Sequence, residues 1–173
     1  WPVYHKGNTS APETEVIYLN STNATSDDSA FFGDTAPTSS QFRVGGDNGA
    51  NGNSDSMIAY VWSEKKGYSK FGSYKGNGDA NGTFVYTGFK PAWLMIKSAT
   101  EGSRNWVIYD NKRETFNEQE YFMRAQTNGA ETRDDGYSEI DLLSNGFKLR
   151  GASGDLNNSN TFIFMAFAES PFV

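Results

Sequence analysis

Two stretches of this chain, "SMIAYVWSE" at residues 56–64 and "TFIFMAFAE" at residues 161–169, are the same kind of apolar run closing on a glutamate. They belong to a register that spans the chain. Trp1 and Trp106, Tyr4 and Tyr109, Phe42 and Phe147, and Glu64 and Glu169 all lie 105 positions apart. In words, "WPVYHK" answers to "WVIYDN" and "SQFRVGG" to "NGFKLRG", while "EVIYLN" and "EYFMRA" correspond after a small shift. Convergent strand composition would not hold one offset across loops of unrelated sequence. The reading is an internal duplication, and such a unit buries its apolar face against its neighbours.

Each copy reads as strands separated by turns. The chain has 18 glycines, six of them directly after asparagine, from Asn48-Gly49 to Asn145-Gly146. Both residues tolerate positive φ, which makes Asn-Gly between apolar runs a strong hairpin signal. Runs rich in Val, Ile, Phe, Tyr and Trp predict strands over 1–6, 15–20, 41–46, 56–64, 84–88, 92–98, 105–110, 120–124, 141–150 and 161–169. In "TFIFMAFAE" both alternating sets are apolar, so this strand and its counterpart at 56–64 are expected at the centre of a sheet, covered on both faces. The Gly-rich stretch at 67–82 reads as a linker or exposed hairpin. The second copy also carries a lead-in, "GTFVYTGFKPAWLMIKS", for which the first has no counterpart. The expected architecture is all-β: tandem sandwich-like units of jelly-roll or laminin-G-like kind, with residues 1–75 an N-terminally incomplete first unit and 76–173 the second.

Composition narrows the function. A net charge of −6 argues against nucleic acid and anionic membrane as partners. No apolar run approaches the ~20 residues that span a bilayer. There is no cysteine, hence no disulfide, thiol nucleophile or Cys-based metal site. The sequence opens at Trp1 without a basic, apolar leader, so the expectation is a processed chain or a piece of a longer polypeptide.

Longer motifs carry a resemblance. "GYSKFGSYKGNGDANGTFVYTGFKPAWLMIK", "NWVIYDNKR", "LLSNGFKLR" and "TFIFMAFAESPF", with "YLNST" and "PTSSQFRVG" upstream, resemble a repeat of unknown function found in virion proteins of marine bacteriophages and cyanophages. There it stands in tail and fibre proteins beside laminin-G-like modules. The resemblance covers nearly the whole chain. It implies a non-enzymatic structural module on the virion exterior, such as a tail fibre, capsid fibre or decoration appendage. Its implied partners are sibling subunits, other virion proteins and host-surface glycans, and it offers no catalytic residue. Two rival readings are a carbohydrate-binding module and a polysaccharide-degrading appendage.

Candidate sites are few. His5 is the only histidine, and its counterpart in the second copy is Asp110. Glu64 and Glu169 could serve as the paired carboxylates of a glycosidase. Their matching places favour a structural role, so no catalytic residue is assigned and no cofactor is required. Asp47, Asn51 and Asp55 in "DNGANGNSD" have the alternating oxygen spacing of a calcium loop, without the closing glutamate of an EF-hand. Trp1, Trp93 and Trp106 read as core. Tyr68, Phe71 and Tyr74, in the Gly-rich stretch, are the candidates for contact with a ligand or partner.

Overall fold

Apolar alternation and Gly-rich turns produce antiparallel pairing throughout. In the computed structural model, which describes residues 1–134 and 136–171, the strands are β1 (Pro2–Val3), β2 (Glu15–Tyr18), β3 (Ser26–Asp27), β4 (Ser69–Lys75), β5 (Phe84–Tyr86), β6 (Pro91–Ser98), β7 (Val107–Asp110), β8 (Tyr121–Arg124), β9 (Thr132–Arg133), β10 (Ile140–Leu143), β11 (Gly146–Leu149) and β12 (Thr161–Ala168). Two single helical turns, α1 (Ser29–Phe32) and α2 (Asn48–Asn51), lie between β3 and β4. The strands form a six-stranded sheet in the order β4-β12-β6-β7-β8-β9, and two three-stranded sheets, β10-β11-β5 and β1-β2-β3.

β12 is central, paired along its length with β4 on one side and β6 on the other. Both of its faces are apolar, and each finds cover. Phe162, Phe164 and Ala166 enter the main core with Val85, Ile140, Phe147 and Leu149 of the β10-β11-β5 sheet. Phe147 crosses between the two sheets, its ring 5.4 Å from that of Phe164 and 5.9 Å from that of Tyr74. The two sheets thus make a β-sandwich. On the opposite face Ile163 joins Ala99, Trp106 and Ile17 in a second core, flanked by Val3, Leu19 and Met95. The β1-β2-β3 sheet is therefore a third layer laid on the outside of the six-stranded sheet. Trp106 Nε1 donates to the Tyr18 carbonyl at 2.9 Å across that seam. The chain before β2 also crosses β4 closely. A Cβ on Gly7 would sit 3.2 Å from Gly72 C, and one on Gly72 would meet the Phe164 ring at 2.9 Å.

The ladders of the two three-stranded runs correspond pair by pair. β1 meets β2 through Pro2↔Tyr18 and Val3↔Ile17, and β7 meets β8 through Val107↔Arg124 and Ile108↔Met123. β3 meets β2 through Glu15↔Asp27 and Val16↔Ser26, and β9 meets β8 through Tyr121↔Arg133 and Phe122↔Thr132. Adding 105 to the β1 positions, and 106 to those of β2 and β3, converts the first set into the second. The hydrogen bond from Leu19 N to Trp1 O has the same counterpart, Ala125 N to Trp106 O.

The remainder of the N-terminal half departs from expectation. Residues 56–64 form no strand, and Ile58, Tyr60 and Val61 are 80, 68 and 69% exposed. Residues 41–46 are likewise outside any strand, with Phe42 half exposed where Phe147 is fully buried. These segments have strand sequences, but residues 56–64 have no equivalent of β4 or β6 beside them and residues 41–46 none of β5 or β10, and a ladder needs a partner. A small substitute core forms instead: the α1 turn sets Phe32 against Tyr4 and Phe31 against Tyr18. Residues 141–150 are a hairpin, β10–β11, rather than one strand. The stretch expected as a linker contributes β4, whose Tyr74 is buried with its hydroxyl donating to the Leu156 carbonyl at 2.7 Å. β4, placed by sequence with the first unit, pairs with β12 of the second.

Candidate functional site

The most densely furnished surface is the end of the six-stranded sheet where β12 finishes. Ala168 N donates to the Tyr68 carbonyl and Glu169 N to the Lys90 carbonyl, both at 2.8 Å. These bonds gather the start of β4, the start of β6 and the end of β12. Phe167 becomes the hub of an aromatic cluster on the outer face: its ring centre lies 5.8 Å from Tyr68, 6.1 Å from Phe71 and 5.8 Å from Trp93. Two recesses flank the turn between β5 and β6. One, of about 360 Å³, is lined by Lys90, Asn111, Glu114, Phe116, Gln119 and Glu169. The other, of about 380 Å³, is lined by Glu64, Lys65, Lys66, Lys70, Tyr86 and Gly88.

Each recess therefore holds one of the two repeated glutamates. Glu64 accepts from Lys6 at 2.5 Å and from Lys70 at 2.6 Å. Glu169 accepts from Asn111 Nδ2 at 2.6 Å and pairs with Lys90 at 3.0 Å. Lys6 and Asn111 are themselves 105 apart, so positions related by that offset make the same contact with the two glutamates. For Glu64, partial burial works to raise the pKa, but the hydrogen bonds and charges of Lys6 and Lys70 prevail and hold it below the usual carboxylate range. For Glu169 the Lys90 hydrogen bond leads the same lowering. A general acid needs the opposite shift.

His5 is also committed. Gly7 N donates to its Nδ1 at 3.0 Å, so the proton sits on Nε2, which lies 3.0 Å from the Phe164 carbonyl and donates to it. Burial lowers its pKa, keeping the ring neutral. It clamps the N-terminal segment to β12.

The proposed calcium loop becomes α2. Asp47 is its N-cap, accepting from Gly49 N, and Asn51 Nδ2 donates to the Gly45 carbonyl. The Asp55 carboxylate lies against Gly52. Among the described residues no three His, Asp or Glu side chains gather where they could hold an ion. Of the three aromatic contact candidates, Tyr68 and Phe71 lie in the half-covered cluster, whereas Tyr74 is core, stacked on Phe162 at 5.3 Å. No local pattern marks Lys90, Trp93 or Phe167 as companions of that cluster. Asn111 could have been found by carrying Lys6 forward through the 105 offset.

Fold and site together define an antiparallel β-sandwich with a third layer and a polar, aromatic-edged end. Residues 1–171 match the family described as a domain of unknown function (DUF7483), and the chain belongs to that family. No curated protein and no solved structure matches it.

Proposed function

We propose that this chain is a non-enzymatic structural and contact module of a bacteriophage virion, built from tandem sandwich-like units that arose by duplication. One observation carries the duplication: β1-β2-β3 and β7-β8-β9 share a ladder register, interconverted by an offset of 105 for the first strand and 106 for the other two. Repeated sandwiches are rigid carriers, and their loops and open sheet faces serve assembly and display. The ion-paired glutamates support a structural reading over the polysaccharide-degrading one, since both carboxyls are held by lysine in the charged form. The virion assignment rests on the motif resemblance, and its test is direct. Antibody against this chain should decorate intact particles of a phage that encodes it, at a fixed appendage. Labelling confined to lysed host cells would overturn it.

The half-covered cluster of Tyr68, Phe71, Trp93 and Phe167, beside two polar recesses, favours glycan contact as a second reading. Aromatic faces with polar neighbours suit sugar stacking. Titration with host-surface glycans should then perturb the Trp93 emission, and a Trp93→Ala variant should lose glycan retention while keeping its thermal transition.

A further inference from the structure

The chain carries a net charge of −6, yet its lysines are gathered rather than spread. Six of the nine, Lys6, Lys65, Lys66, Lys70, Lys90 and Lys112, stand at the end of the six-stranded sheet where the two recesses lie. The recess of about 380 Å³ takes four of them. Lys65, Lys66 and Lys70 line it, and Lys6 reaches Glu64, the one acid among its described lining residues. Glu64 is already engaged, with Lys6 on one carboxylate oxygen and Lys70 on the other. Lys65 and Lys66 are exposed and form no salt bridge among the described residues. Unpaired ammonium groups lining one recess keep a positive field in an acidic molecule, and such a field draws in anions. The same wall offers an apolar face. Tyr86 on β5 is 64% exposed, and its phenol lies against Gly88, where a Cβ would come 3.5 Å from the Tyr86 hydroxyl oxygen.

We propose that this recess binds an acidic saccharide, a sugar bearing a carboxylate, with Lys65 and Lys66 holding the carboxylate and Tyr86 packing on the pyranose ring. Charge alone would suit any anion. The exposed ring beside it selects a sugar, whose C–H face packs on an aromatic one while its hydroxyls stay in water. The recess is of the size, about 300–1,000 Å³, that small-ligand sites occupy. Lysine is a flexible point charge with three donors, which fits carboxylates presented at varying angles along a polymer. The proposal rests on the glycan-contact reading above. It adds the chemical class of the glycan and a place for it beside the Trp93 cluster.

The probe is an oligogalacturonate, titrated calorimetrically into the intact chain beside its methyl ester, which keeps the rings and loses the charge. Saturable binding of the acid is expected, about tenfold or more tighter than that of the ester, because the ester cannot accept charge-assisted hydrogen bonds as a carboxylate does. Lys66→Ala should weaken it by about fivefold or more, and Tyr86→Ala by about threefold or more. Lys75→Ala removes the same charge from the far end of β4 and should leave binding unchanged. All three positions are exposed, so the thermal transition of each variant should stay as in the parent. Absence of binding would overturn the proposal. Equal weakening by Lys66→Ala and Lys75→Ala would mean attraction to net charge alone, which also overturns it, as would polyglutamate binding as tightly as the sugar. Ester bound as tightly as acid would overturn the acidic class and leave glycan contact standing, while the Trp93 emission titration decides that broader reading separately.

Discussion

At the scale of single residues, the most consequential side chain is one that carries charge where water is absent. Lys97 has no exposed surface, and its Nζ donates to the Ser98 carbonyl at 3.0 Å and the Thr22 carbonyl at 3.4 Å. It ties the outer layer to β6. Burial lowers its pKa to about 8, with Asp155 acting to raise it and Arg104 to lower it. In the unfolded chain the same group titrates near 10.5. Between those two values the unfolded state binds more protons than the folded one, so stability rises with pH through that window, and below it the contribution is flat and unfavourable. The whole rise amounts to about 3 kcal/mol at most. Lys97→Met should abolish it and be more stable than the parent at pH 7. Urea unfolding of both proteins at pH 7 and pH 10 checks this, since other titrating groups cancel in the difference. A parent and variant that differ equally at the two pH values would contradict it.

Among the elements, two phenylalanines 105 positions apart make a natural control. Phe147 on β11 is fully buried between the sheets, while Phe42, its counterpart, is half exposed. Phe147→Ala should cost about 3–5 kcal/mol, and Phe42→Ala should stay within about 0.5 kcal/mol, both measured by urea unfolding of the isolated chain. Equal costs would mean that residues 41–46 are packed in solution. The same pair explains what could be read from sequence. β5 to β8 and β12 were legible because their apolar alternation is local and their partners are present. Residues 41–46 and 56–64 have the same local pattern, but a strand exists only when another pairs with it, and no periodicity records a partner's absence. β4 was hidden for the converse reason. "SKFGSYK" looks like a linker because its outward positions are polar and Gly72 must stay small under Phe164, yet Ser69 and Tyr74 bury and β12 supplies the ladder. At the candidate site, the glutamates were legible through their shared offset of 105. The aromatic cluster was not, because Trp93 and Phe167 meet only through sheet register.

For the molecule as a whole, the pairing of Ser69 with Phe167 has a mechanical consequence. The chain joins the six-stranded sheet and leaves it at the same end, so tension along the polypeptide pulls β4 and β12 apart from their shared terminus. Rungs then break one after another, as in a zipper, and the sheet yields at low load. Loading Lys75 and Ala168 instead, at opposite ends of the same two strands, strains all rungs at once. The chain has no cysteine, so single attachment points can be introduced cleanly. In an optical trap, tethers at positions 69 and 168 should open the sheet gradually at low force, and tethers at 75 and 168 should hold to a higher force and then rupture in one step. Equal rupture forces would refute the zipper geometry. A sheet loaded between positions 69 and 168 would thus open and re-form rung by rung, yielding along that one axis while it resists load along the other.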